Sequence, residues 1–143
     1  MFGRQVDDPL VDYLSRGWRE NLSPHPLFDV AYYLKENADV AQHQFEPLSH
    51  YLIYGAAEGR NPHWAFDTRY YQHNNPEVMV RDVNPLVDFV TRGADKGLSP
   101  NPNFDIPSYL QHFPEVAASG QNPLVHWVES VRKRLVESAA AGA

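Results

Sequence analysis

The chain has 143 residues, 43% hydrophobic and 21% charged, with a formal net charge of -6 and no cysteine. That length sustains one ordinary core without staples, the apolar content excludes a disordered chain, and the missing thiols exclude a disulfide framework and thiolate metal sites. Negative charge opposes phosphate backbones, and the only basic cluster, Arg132-Lys133-Arg134, stands near the end, so nucleic acid is not an expected partner.

No apolar run is long enough to span a bilayer, and the first five residues lead into acidic side chains and not into a signal-peptide core. The chain is expected to be soluble, with no membrane insertion. Its compartment stays open, the cytoplasm being preferred over a secreted location.

Self-similarity governs the rest. Pro9-Leu10, Pro47-Leu48, Pro85-Leu86 and Pro123-Leu124 recur every 38 residues, as do Phe28-Asp29, Phe66-Asp67 and Phe104-Asp105. This divides the single domain 1–143 into a half repeat 7–27, repeats 28–65, 66–103 and 104–130, and a helical extension 131–143. In the half repeat, Asp8 caps a helix that opens at Pro9 and carries Leu10, Tyr13, Leu14 and Gly17 at helical spacing.

Each full repeat reads as two helices. The first follows Phe-Asp: Asp29, Asp67 and Asp105 are N-caps, and Phe28, Phe66 and Phe104 staple onto Tyr33, Tyr71 and Tyr109. It should stop near Asn37, Asn75 and Phe113, with one further turn at Asn75-Pro76-Glu77 and Phe113-Pro114-Glu115. The second helix starts at Pro47, Pro85 and Pro123, capped by Asn84 and Asn122, with Glu46 the weak exception. Its stripe Leu48, Tyr51, Leu52, Gly55 is amphipathic. The terminus falls at Asn21, Gly59 and Gly97, which tolerate the left-handed conformation beyond a helix end.

Gly55 and Gly93 then lie inside a helix, where glycine costs about 1 kcal/mol relative to alanine, so a neighbouring helix is expected to cross there. Two short helices cannot bury their apolar faces alone. The expected fold is therefore all-α, with tandem units of two helices stacked into a compact solenoid-like array. In the last copy Val131 replaces the inner glycine, and Leu124, Trp127, Val128, Val131 and Leu135 continue one stripe, as in a capping helix.

The pattern Phe28-Asp29, Tyr32-Tyr33-Leu34, Pro47-Leu48, His50-Tyr51-Leu52 and Gly55 through Arg60, with Asn-Pro-Glu-Val in the second copy, resembles a bacterial repeat. It is similar to tandem units found beside glycosyltransferase domains in surface-polysaccharide biosynthesis proteins and in some large secreted proteins. The resemblance covers residues 7 to 130, departing at Gln72, Asp88 and Lys96 in the second copy and at Ser108 and Phe113 in the third. It implies a module that accompanies a transferase; no room remains here for the catalytic domain itself.

Asp12, His50, Asp88 and His126 share one repeat position and could form a metal ladder, and His25 and His63 share another. No copy supplies two ligands at close helical spacing, so a solvated or hydrogen-bonded face is the better reading, and no metal or cofactor is expected. No nucleophile-base motif or phosphate-binding loop is present, which ranks a metal-dependent enzyme last. Aromatics at framework positions, including Phe104, Tyr109 and Trp127, belong in the core. Trp18, Tyr54 and Trp64 do not repeat: they either fill gaps between copies or form a contact patch. The expected function is non-catalytic protein interaction or scaffolding beside a glycosyltransferase or other surface-polysaccharide machinery, the alternative a glycan-binding accessory module.

Overall fold

The computed structural model describes residue 20 and residues 22–142. Nine α-helical segments and no strand lie among these residues, so the protein is all-α. Its contacts divide the chain into two compact units, Met1–Arg69 and Tyr70–Ala143.

In the first unit, helix α1 spans Val30–Glu36. The Asp29 carboxylate accepts from the Tyr32 N–H at 3.0 Å, which caps the helix, and Phe28 packs on Tyr33 with ring centroids 5.4 Å apart, the anticipated staple. The helix ends at Asn37, whose side-chain amide donates to the Tyr33 carbonyl at 2.8 Å. A short α2, Ala38–Gln42, follows. Helix α3, Pro47–His50, runs directly into a π turn, Tyr51–Gly55. Glu46 proves a full N-cap and not an exception: its longer carboxylate folds back to accept from Leu48 N at 2.6 Å and Ser49 N at 3.0 Å. Asn84 and Asn122 do the same work with shorter side chains.

Helix α4, Thr68–Asn74, precedes α5, Glu77–Val80, and α6, Pro85–Asp88, which again enters a π turn, Phe89–Gly93. The remainder of the second unit is α7, Ile106–His112, α8, Pro114–Ser119, and α9, Pro123–Gly142. Asp105 caps α7 through Ser108 N at 3.0 Å. Each repeat thus holds three helical segments where two were expected. The breaks fall at Asn37 and Phe113, both near φ -130°, where the first helix was expected to stop, and the further turn beyond the stop is a short helix of its own in all three repeats.

The inner glycines have a specific packing partner. A Cβ at Gly55 would overlap the Tyr33 hydroxyl, and one at Gly93 would overlap that of Tyr71. What presses on the glycine is therefore the tyrosine of the preceding helix and not the backbone of a crossing helix. The π turn is the second half of the arrangement: Ala56 N donates to Tyr51 O at 3.0 Å and Ala94 N to Phe89 O at 2.9 Å, the i to i+5 bond that widens a helix locally. Four residues later Gly59, at φ 78°, closes the helix, with Arg60 N donating to Gly55 O at 2.9 Å and Gly59 N to Ala56 O at 3.0 Å.

Leu27, Phe28, Val30, Tyr33, Val40 and Tyr51 are buried in the first unit, and Tyr71, Val78, Phe89, Ile106, Val116 and Leu124 in the second. The third copy departs from this plan. With Val131 in place of the glycine, α9 continues as one uninterrupted helix of 20 residues, and its outer stripe, Leu135 and Val136, is exposed.

Candidate binding surface

The ladder position turns out to be the hydrogen-bond partner of the staple tyrosine. Tyr33 Oη lies 2.7 Å from His50 Nδ1, Tyr71 Oη donates to Asp88 Oδ2 at 2.6 Å, and Tyr109 Oη meets His126 Nδ1. Residues seventeen apart in sequence are brought together on the facing sides of the first and second helices. Asp88 is almost wholly buried, and its carboxylate also receives Arg92 Nε at 2.9 Å and Arg81 Nη1 at 3.3 Å. Burial alone would raise the Asp88 carboxyl, but the hydrogen bonds from Arg92 and Tyr71 outweigh it and hold the group below its ordinary value. Burial pushes both the Tyr33 and Tyr71 hydroxyls upward and keeps them neutral.

His25 and His63 close turns. His25 Nδ1 accepts from Leu27 N at 3.0 Å and His63 Nδ1 from Ala65 N at 3.0 Å; at the same position 38 residues further on, Asn101 Oδ1 accepts from Asn103 N at 2.8 Å. The acceptor must be a neutral imidazole, and burial lowers His63 to about 4. These histidines and the ladder therefore have structural partners in hand.

The first unit also shows how a repeat covers its first helix. After Gly59 the chain runs back as a strap, Arg60-Asn61-Pro62. The Pro62 carbonyl accepts from Asp29 N at 2.9 Å. Arg60 grips Asp39 with two bonds of 2.9 Å and reaches Asn37 Oδ1 at 3.0 Å, while its Nε donates to Glu58 at 2.8 Å. Its guanidinium holds the Asp39 carboxyl down to about 2. The Arg60 carbonyl accepts from Thr68 Oγ1 at 2.8 Å.

In the second unit the corresponding place beside α7 is open. A pocket of about 660 Å³ lies between α7 and α9, with Phe104, Tyr109, Phe113 and Trp127 as its aromatic wall and Asp105, Ser108, His112, Ser130 and Arg134 among its polar lining. Phe104 and Trp127 have centroids 5.4 Å apart, and Tyr109 stacks on Phe113 at 4.7 Å. Tyr109 and Trp127 are only partly buried. Their assignment to the core is corrected by the straight course of α9, which leaves uncovered what a strap covers in the first unit. The signal available in the sequence was the loss of glycine at Val131.

Of the non-repeating aromatics, Trp18 lies outside the described residues. Tyr54 is 49% and Trp64 48% exposed, so about half of each ring faces solvent. Tyr54 leans on Phe45 and His50, with centroids 5.9 and 5.8 Å away, and Trp64 lies against His63 at 5.1 Å. No group of three metal-ligating side chains occurs among the described residues, and no helix among them is long and apolar enough to cross a membrane.

Comparison with protein-family models, with curated proteins and with solved structures finds no match to this chain.

Proposed function

We propose that this chain is a non-catalytic interaction module whose 38-residue units stack into an array, and that it binds or positions a protein partner. Surface-polysaccharide synthesis is the setting that the repeat signature implies. The observation that carries this reading is a division of labour among side chains. Those that recur and could do chemistry, the ladder and the turn histidines, are spent on hydrogen bonds that build the fold. Large aromatics that do not recur, Tyr54 and Trp64, keep about half their surface free, as interface anchors do. Substituting alanine for either should leave helical content and melting temperature nearly unchanged and weaken retention of a protein partner on the immobilised chain. A melting temperature lowered by several degrees with retention intact would return both rings to a packing role.

Glycan binding is the second reading, favoured by the aromatic wall and polar lining of the pocket between α7 and α9. Titration with surface-polysaccharide fragments, followed by tryptophan fluorescence, separates the two.

A further inference from the structure

We infer that the pocket between α7 and α9 is a receptor for an extended Arg-x-Pro segment of a partner protein, held as the chain holds its own Arg60-Asn61-Pro62 in the first unit. The inference rests on the interaction-module reading and names the partner's chemistry. Its basis is the exact 76-residue offset, two repeats, between the strapped helix α1 and the unstrapped helix α7. Asp29 corresponds to Asp105, Tyr32 to Ser108, Asn37 to Phe113 and Asp39 to Glu115. Three of those four third-copy residues, Asp105, Ser108 and Phe113, line the pocket. The opening is thus the place that a strap fills in the first unit.

Both anchors of the strap have counterparts at the same offset, Asp105 in the pocket lining and Glu115 on α8. Asp29 N donates to the Pro62 carbonyl at 2.9 Å, whereas Asp105 N has no partner among the described residues. Asp39 takes Arg60 at 2.9 Å, whereas Glu115 is exposed and has no ion pair among the described residues. Residues 136–138, which the offset places where the strap should be, continue α9 as helix and leave the wall uncovered. Ser108 for Tyr32 widens the opening, and Phe113 for Asn37 exchanges a polar contact to the arginine for a ring face on which a guanidinium can stack. A backbone donor for the proline carbonyl and a carboxylate on α8 for the arginine are the two kinds of group that hold Arg60-Asn61-Pro62 in the first unit, and together they specify a peptide more closely than a sugar ring. Arg60-Asn61-Pro62, the one Arg-x-Pro sequence among these 143 residues, is already engaged within its own unit and is not available to fill the opening.

Calorimetric titration of the full chain with a blocked peptide of sequence Glu-Gly-Arg-Asn-Pro-His, that of residues 58–63, tests this. Saturable one-to-one binding is expected, abolished by Ser108→Trp, which refills the opening, and unaffected by Tyr54→Ala on the other unit. Glu115→Gln should weaken it by about fivefold at low salt, the upper range for an exposed ion pair. Far-UV circular dichroism and melting of each variant establish that it is folded. A flat titration up to millimolar peptide, or binding undiminished in folded Ser108→Trp, overturns the inference. Saturation by polysaccharide fragments instead, or self-association of the chain, either one abolished by Ser108→Trp, also overturns it. If the peptide fails while Tyr54→Ala or Trp64→Ala still releases a protein partner, the interaction-module reading survives without this pocket; if peptide binding holds and those variants change nothing, the pocket stands and the aromatic patch falls.

Discussion

Helices α3 and α9 begin alike and end differently. Both open with proline at the first position, both are capped by an acceptor at the residue before it, and both present a polar side chain to the tyrosine seventeen residues upstream. Then α3 widens into a π turn at Gly55 and stops at Gly59, and the chain folds back as a strap over α1. Helix α9 has valine at the equivalent position, runs straight on, and leaves the aromatic wall beside α7 open. The lesson is that a single glycine does two jobs. It makes room for the tyrosine hydroxyl, and it allows the widened turn that sets up the helix end and the strap.

The largest effect that would test this comparison comes from filling that glycine. Gly55→Leu should destabilise the chain by roughly 1 to 3 kcal/mol, because the added side chain must displace the Tyr33 hydroxyl from its bond to His50. Tyr33→Phe in the same chain removes the overlapping oxygen and should recover part of the loss, a coupling readable in a double-mutant cycle by urea denaturation. Strict additivity of the two changes would show that the tyrosine is not what the glycine accommodates.

A second difference between copies predicts a pH dependence. The turn before α4 is closed by His63 and the turn before α7 by Asn101, yet both acceptors serve the same purpose. Burial lowers His63 to about 4, so its neutral form is favoured in the folded chain. The stability this contributes is complete above pH 6.5 and is lost as pH falls from 6.5 through 4; by linkage the loss is on the order of 2 kcal/mol at pH 5. His63→Asn keeps an acceptor that does not titrate, and should flatten the stability profile across that window. An unchanged slope from pH 7 to 5 in the asparagine variant would place the acid sensitivity elsewhere, with His25 and His50, which burial also shifts downward, the next to examine.

Much of this architecture was legible because caps, staples and helix stops are local. Asp29 and Asp105 declare themselves by the phenylalanine before them and the tyrosine four residues on, and Gly59 and Gly97 by their place after an apolar stripe. The π turns were not legible, since Tyr51 through Gly55 fits an α-helical stripe as well; the widening follows from a contact with Tyr33, remote in sequence. The partner of the ladder was hidden for the same reason. Burial of Tyr109 and Trp127 was overestimated because internal repetition assigns to the third copy the cover that buries Tyr33 and Tyr51 in the first and Tyr71 and Phe89 in the second. Tyr54 and Trp64 were singled out by the opposite signal, failure to repeat, which separates a side chain from the common framework but does not say what it touches.

The smallest predicted effect concerns a conformation that all three copies share and only one provides for. Gln44, Asp82 and Gly120, each 38 residues apart, follow the short helices α2, α5 and α8 with φ of 52°, 56° and 76°. In the first two, Phe45 N donates to Val40 O and Val83 N to Val78 O, both at 3.2 Å, the long-range bond of a left-handed helix end. Glycine enters that region without steric cost, while a side chain there is held against a penalty of roughly 1 kcal/mol. Gln44→Gly relieves the penalty and adds chain entropy to the unfolded state, which offsets part of the gain. The net should be a stabilisation of a few tenths of a kcal/mol up to about 1. The reverse change, Gly120→Gln, should destabilise by a similar amount although nothing lies within 4 Å of the added Cβ. Because no packing changes at residue 120, that pair of variants isolates the backbone term. Thermal melts in which Gln44→Gly and Gly120→Gln move in opposite directions would show that the three helix ends share one conformational requirement, and melts in which both fall would show that the Gln44 side chain makes a contact outweighing its strain.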